Sequence, residues 1–224
     1  MEDRALIECF TQATNHRFLG NPYAEQARLR YEALEGLNWK IPLFHRERAE
    51  QDEYDTPETV YFIRRDEELN PLACMRLCRT DLKYRLRGIP TTFMLRDVFS
   101  SYVTGPQSLY VGGSYREGSR LCAALNLRQS EKKELRRRIV DEILVGVMEY
   151  SVEHSIKGIY GTMPTKVFNS TWGRTKCKVQ WLSEEVSIDE FPSRLAIKII
   201  SQEALDRVRG ITGLHEGILN YGDW

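Results

Sequence analysis

The stretch "SEKKELRRRIVDEILVGVMEYSVEHSIKGIYGTM", Ser130–Met163, decides the fold. Ser130 reads as an N-cap, and Leu135, Ile139, Ile143 and Val147 recur at every fourth position, which predicts a long helix over 130–155 with one apolar stripe. "KGIYGTM" then reads as a short strand, so the stripe has a sheet to cover. Upstream, "ETVYFIRR" (58–65) is rich in strand formers, "EELNP" is a turn and "LACMRLC" (72–78) is a second strand, which together predict an antiparallel pair. "SLYV" (108–111) reads as another strand. Further upstream, "NPYAEQARLRYEALEGLNW" reads as a helix, with Asn21 and Pro22 at its start, Ala24, Ala27, Tyr31 and Leu34 at helical spacing and Gly36 as its stop. Downstream come "PTKVFNSTWGR" as a short helix ending at Gly173, the strands "CKVQWL" and "RLAIKIIS", and a last helix "SQEALDRVR". Strands that first form a hairpin and then alternate with helices predict an α/β fold with a mixed sheet covered by helices. With no repeat, low-complexity tract or linker, residues 1–224 are read as one domain.

Composition narrows the function. The formal net charge is +0 and the isoelectric point about 6.9, so no global field draws the chain to nucleic acid or anionic lipid. Cys9, Cys74, Cys78, Cys122 and Cys177 form no C-x-x-C pair, which fits reduced thiols better than a disulfide framework or a zinc site. No apolar run reaches the roughly 20 residues a bilayer requires. "MEDRALIECF" carries acids where a signal peptide would carry bases, and the expected compartment is the cytosol. His16, His45, His154 and His215 are dispersed and read as surface or structural, and Trp172 and Trp181 as core.

Charge supplies the candidate site. Asp52, Glu53 and Asp55 sit in "EQDEYD" just before a strand; alone, such a triplet is a solvated turn. Arg76 lies inside the apolar "CMRLC", where a guanidinium needs a partner or a ligand, an edge salt bridge being the simpler option. Glu117 lies in a strand-like context between Arg116 and Arg120 in "YREGSR", where a buried carboxylate is costly unless paired, for which Arg120 is the candidate, or used for proton transfer. Together these offer acids and guanidiniums from three strand ends to one crevice.

The blocks "ARLRYEALEGLNW", "DEYDTPETVYFI", "ACMRLCRT", "FMLRDVF" and "EGSRL", in this order, resemble the LuxI-type acyl-homoserine-lactone synthases, over most of the chain. The resemblance implies a single-domain α-β-α sandwich related to the GNAT acyltransferases. It implies transfer of an acyl group from acyl carrier protein or acyl-CoA to the amine of S-adenosylmethionine, then lactonisation with release of methylthioadenosine, for quorum sensing. The family's site residues fall on Arg30, Trp39, Asp52, Asp55 and Arg76 for S-adenosylmethionine and on Glu117, Ser119 and Arg120 for catalysis. Glu117 is the implied base, kept ionised by its flanking arginines, and backbone N–H groups beside Ser119 are the implied oxyanion donors. No metal or other cofactor is expected. Leu34 stands where an aromatic is common, and "DLKYRLRGIP" is an insertion where a short turn is usual.

The acyl pocket is expected from Ile143, Met148 and Phe168, with Gly161 or its neighbour Thr162 at the position where a hydroxyl goes with 3-oxo chains. Lys132, Lys133, Arg136 and Arg137, with Lys83 in the insertion, are candidates for docking an acidic carrier; a solvated helix face balanced by Glu131 and Glu134 is the simpler reading. The R/Q-x-x-G-x-G/A loop that cradles a pyrophosphate is absent, which favours acyl carrier protein over coenzyme A. Two other functions remain open: a GNAT acyltransferase acting on another amine, and a non-catalytic relative that binds S-adenosylmethionine or an acyl group.

Overall fold

A computed structural model describes residues 6–35, 48–81, 84–86, 89–91, 93–104, 109–188, 190–215 and 217–222. Trp39, Lys83, Gly36 and His45 lie outside the described residues. In chain order the elements are β1 (Ile7–Phe10), α1 (Pro22–Glu35), β2 (Val60–Arg65), β3 (Pro71–Arg79), β4 (Tyr84–Leu86), β5 (Ile89–Thr91), α2 (Met94–Phe99), β6 (Tyr115–Ala123), α3 (Lys133–Glu153), β7 (Gly158–Pro164), α4 (Thr165–Ser170), β8 (Val179–Trp181), β9 (Val186–Ile188), β10 (Phe191–Ile199), α5 (Gln202–Thr212) and β11 (Leu219–Asn220).

Among the described residues, one mixed sheet runs β11-β1-β2-β3-β6-β7-β10-β8, with β9 also on β10 and the β4–β5 hairpin apart. The β1–β11 and β6–β7 pairs are parallel and the rest antiparallel. Helix α1 packs on one face against β2, β3 and β6, while α3, backed by α5, covers the other. This is the expected α-β-α sandwich. No described helix is long and apolar enough to cross a membrane.

Local chemistry sets the boundaries. Asn21 Oδ1 accepts the Ala24 N–H at 3.1 Å and so caps α1, while Ser201 caps α5 through the Ala204 N–H at 3.1 Å. The long helix starts at Lys133, not Ser130: residues Ser130–Lys132 form a 3-10 turn, and Leu135, half exposed on the first turn, falls outside the stripe. Ile139, Ile143, Leu144, Val147 and Met148 are buried against Val60, Phe62, Met75 and Leu77 of the sheet.

Two further expectations give way. Leu109–Val111 form no strand; the strand is Tyr115–Ala123, the charged segment itself. Trp172 is buried, but Trp181, at a sheet edge on β8, is 40% exposed against Phe168 and beneath Arg194.

Two irregularities in β6 prepare the site. Pairing with β3 runs Cys78↔Glu117 and Arg76↔Ser119 but then Cys74↔Cys122, so β6 carries one extra residue, and Arg120 adopts φ 57. This bulge puts Arg120 on the same face as Glu117 and Ser119, which strict alternation would forbid. The parallel pairing of β6 with β7 ends at Glu117↔Tyr160, although both strands continue. Beyond that rung they part.

Candidate active site

The D-x-x-D loop is wound by its own side chains. Asp52 Oδ1 accepts the Tyr54 N–H at 2.9 Å, and Asp55 Oδ2 accepts the Asp52 N–H at 2.9 Å. The three-residue spacing aims both carboxylates at the sheet. Arg30, on the inner face of α1, donates to both oxygens of Asp55 at 2.8 Å and to Gln26 Oε1 at 3.1 Å, and pairs with Glu50. Arg76 donates to both oxygens of Asp52 at 2.7 Å, reaches Asp55 Oδ1 at 2.8 Å, and gives its Nε–H to Ser119 Oγ at 2.9 Å. Arg120 closes the ring, with Glu50 at 3.0 Å and Asp52 at 2.7 Å.

Three buried guanidiniums therefore meet three buried carboxylates with no net charge. Burial alone would raise the carboxyls of Asp52 and Asp55, but Arg76 and Arg120 hold Asp52, and Arg30 and Arg76 hold Asp55, below the usual carboxylate range. The arginines are locked protonated in return: burial works against Arg30 and Arg76, yet Asp55 and Asp52 raise them further. Such a network stabilises little against an apolar substitute, but losing one member strands a buried charge at a cost of about 3–5 kcal/mol.

Glu117 stands apart from this ring. Its carboxylate accepts the N–H of Met94 at 2.8 Å and of Leu95 at 2.9 Å, the first turn of α2. Among the described residues no arginine hydrogen-bonds it, which corrects the expected pairing: Arg120 is committed to Glu50 and Asp52, and Arg116 donates to the carbonyls of Gly113 and Tyr115. Burial raises Glu117 to about 7, against the opposing pull of Arg76 and the two N–H groups. It lies on the last paired rung before β6 and β7 part. A carboxylate so placed can take up a proton near neutral pH at the mouth of an opening between strands.

Sequence reasoning thus brought Arg30, Asp52, Asp55, Arg76, Ser119 and Arg120 into one cluster and set Glu117 beside it. It missed Glu50, the third acid of the ring, passing over it for Glu53; three arginines seeking three acids were the available signal. The acyl-pocket candidates divide. Ile143, Met148 and Phe168 belong to the core on the α3 face, which Gly161 also faces, whereas Thr162 alternates to the opposite face. Of the basic cluster, Lys133 and Arg137 are exposed, with Arg137 3.6 Å from Glu134. Arg136 is half buried against the Leu127 carbonyl, and Lys132 lines a separate cleft of about 700 Å³ with Glu8, Arg65 and Leu135.

Solved structures share this architecture. The CoA-dependent acyl-homoserine lactone synthase BjaI, with SAM and isopentyl-CoA, superposes with a TM-score of 0.77 at 18% identity, covering 97% of this chain and 93% of that one. The AHL synthase LasI gives 0.73 at 15% identity over 92% and 94%. TofI, in a ternary complex with an inhibitor and MTA, gives 0.68 at 21% over 90% and 96%. No curated protein sequence matched. The fold class is therefore that of a mixed sheet between helical layers, as in these synthases. The sequence model of the autoinducer synthase family matches residues 19–207, and the chain belongs to that family.

Proposed function

We propose that this autoinducer synthase makes an acyl-homoserine lactone, transferring an acyl group from a carrier thioester to the amine of S-adenosylmethionine and then closing the lactone. The observation that carries the reading is Glu117, buried, poised at about 7 and set where β6 and β7 part. An α-amino group has a pKa of about 7.7–8.0, so its proton passes to such a carboxylate at little cost.

The freed amine attacks the thioester carbon. The oxyanion is assigned to backbone N–H groups of β6 beside Ser119, just past the last rung paired with β7. The carbon–sulfur bond breaks as the nitrogen gives up its second proton, which goes to the departing thiolate, and Glu117 releases the first to solvent. The carboxylate of the bound methionine moiety then displaces methylthioadenosine from the carbon next to the sulfonium, which needs proximity alone and calls for no metal. Arg30, Asp52, Asp55, Arg76 and Arg120 form the floor for S-adenosylmethionine. Their charges are already matched, so the substrate's ammonium and carboxylate enter by exchange with one arm of the ring, and Trp39 is the aromatic partner proposed for its adenosine.

For the donor, α3 begins at the end of the sheet where β6 and β7 part, and its exposed Lys133 and Arg137 suit an acidic carrier protein or the phosphates of coenzyme A. The test mixes purified protein, S-adenosylmethionine and a panel of acyl-carrier-protein and coenzyme A thioesters, with mass spectrometry for methylthioadenosine and lactone. Thiol release without methylthioadenosine would make it an acyltransferase on another amine. Neither product would make it a binder.

A further inference from the structure

β10 places a lysine in an otherwise apolar run, Leu195, Ala196, Ile197, Lys198 and Ile199. Lys198 is 1% exposed, and among the described residues its Nζ has no hydrogen-bond partner. It lies 5.3 Å above the ring of buried Trp172, whose own Nε1 is also unpartnered. The ammonium occupies the space that a side chain at Gly161 would fill, and the same point is 3.4 Å from the Gly118 carbonyl. Gly118 and Gly161 follow directly on Glu117 and Tyr160, the last paired rung. The lysine head thus stands beside the first open rung, on the face lined by Phe168 and Met148.

A buried ammonium is costly unless paired, and a cation over an aromatic ring recovers only part of that cost. Both unpartnered groups here are donors. Burial lowers Lys198 to about 8, which still leaves it mostly charged at neutral pH. What completes such a site is an acceptor brought in by a ligand, and on the proposed function the ligand reaching the opening between β6 and β7 is the acyl group.

Resting on the acyltransferase reading above, we propose that Lys198 is a specificity-determining residue that binds an oxygen acceptor on the acyl chain, a keto or carboxylate oxygen, so that oxygenated acyl thioesters are preferred over plain hydrocarbon ones. A hydrogen bond to a charged group contributes about 1.5–3 kcal/mol, and the corresponding preference is on the order of ten- to a hundredfold in kcat/KM.

The test follows methylthioadenosine release with S-adenosylmethionine and thioesters of matched length bearing no oxygen, a 3-oxo group or a terminal carboxylate. The wild type is expected to favour one oxygenated arm at least tenfold, and that arm names the source of the acceptor. In Lys198→Met the ratio should fall to about one. Gly161→Ala, whose methyl displaces the ammonium, should lower it too and supplies a second readout should Lys198→Met fold poorly. A wild type that uses the plain chain as well as both oxygenated ones, or a folded Lys198→Met that keeps the preference, overturns the proposal. If no thioester yields methylthioadenosine, the synthase reading fails by itself; equilibrium binding of the same thioesters to wild type and Lys198→Met then decides the role of Lys198.

Discussion

The two faces of the central sheet bury charge in opposite ways. Under α1, Arg30, Arg76 and Arg120 are matched by Glu50, Asp52 and Asp55, with every guanidinium held by at least two carboxylates. Across the sheet, under α3 and α4, Lys198 has, among the described residues, only an aromatic face. A closed ring is a finished structural object that sets the shape and field of a recess. An open donor is unfinished and takes meaning from what arrives. Glu117 lies between these extremes, satisfied by two backbone N–H groups yet poised to change its charge.

The contrast is broken most severely at Glu117. Glu117→Gln should leave circular dichroism unchanged and lower turnover by roughly a hundred- to ten-thousandfold. Wild-type turnover in the folded variant would remove Glu117 from the mechanism. The same carboxyl sets the pH profile: a base must be deprotonated, so kcat/KM should fall about tenfold per unit as pH drops below about 7.

Opening the closed ring comes next. Asp55→Ala should cost about 3–5 kcal/mol in denaturant unfolding, because Arg30 and Arg76 are left facing a hole. Replacing Arg30 by Met and Asp55 by Leu together should restore part of the loss; a double variant no better than the single one would show that the ring is not a unit. Since the folded pKa values of Asp52 and Asp55 are depressed, their stabilisation is fully present above about 3.8 and is lost only as pH falls below it.

Smaller effects sharpen the α3 face. Ile143→Val should cost about 0.5–1.5 kcal/mol as a core truncation. A shift in chain-length preference larger than the stability change would place Ile143 against the acyl chain. Smallest in stability, within about 0.5 kcal/mol, should be Lys133→Glu with Arg137→Glu on the exposed first turns of α3. The double change should nonetheless slow turnover with acyl carrier protein at low salt and have little effect at high salt. Unchanged low-salt turnover would discard the docking role.

What the sequence disclosed follows from how far each interaction reaches. The β2–β3 hairpin was legible because "EELNP" and its apolar flanks act locally, and the chain reverses through Asp66–Asn70, with Asp66 Oδ1 accepting the Asn70 N–H at 2.7 Å. The D-x-x-D loop and Arg76 were legible because acids before a strand and a guanidinium inside one demand partners. β6 was legible only as a strand-like context around Glu117, without bounds, because its charges and bulge blur the alternation that marks a strand. The partners of Glu117 were hidden for another reason: they are backbone N–H groups, which no residue type announces. Lys198 was overlooked although the argument made for Arg76 applies to it unchanged.

The left-handed backbone at Arg120 also governs how this chain can change its length. Deleting one residue between Ser119 and Cys122 would iron out the bulge and turn Arg120 or Cys122 through the sheet, carrying a guanidinium toward Met75 and Leu77 or breaking the ring that needs it. Substitution by glycine at 120 would ease the backbone but remove the charge. The two-then-one spacing of Glu117, Ser119 and Arg120 is therefore the imprint of an inserted residue, and an alignment that closes it with a gap would mispair every downstream side chain with the wrong layer.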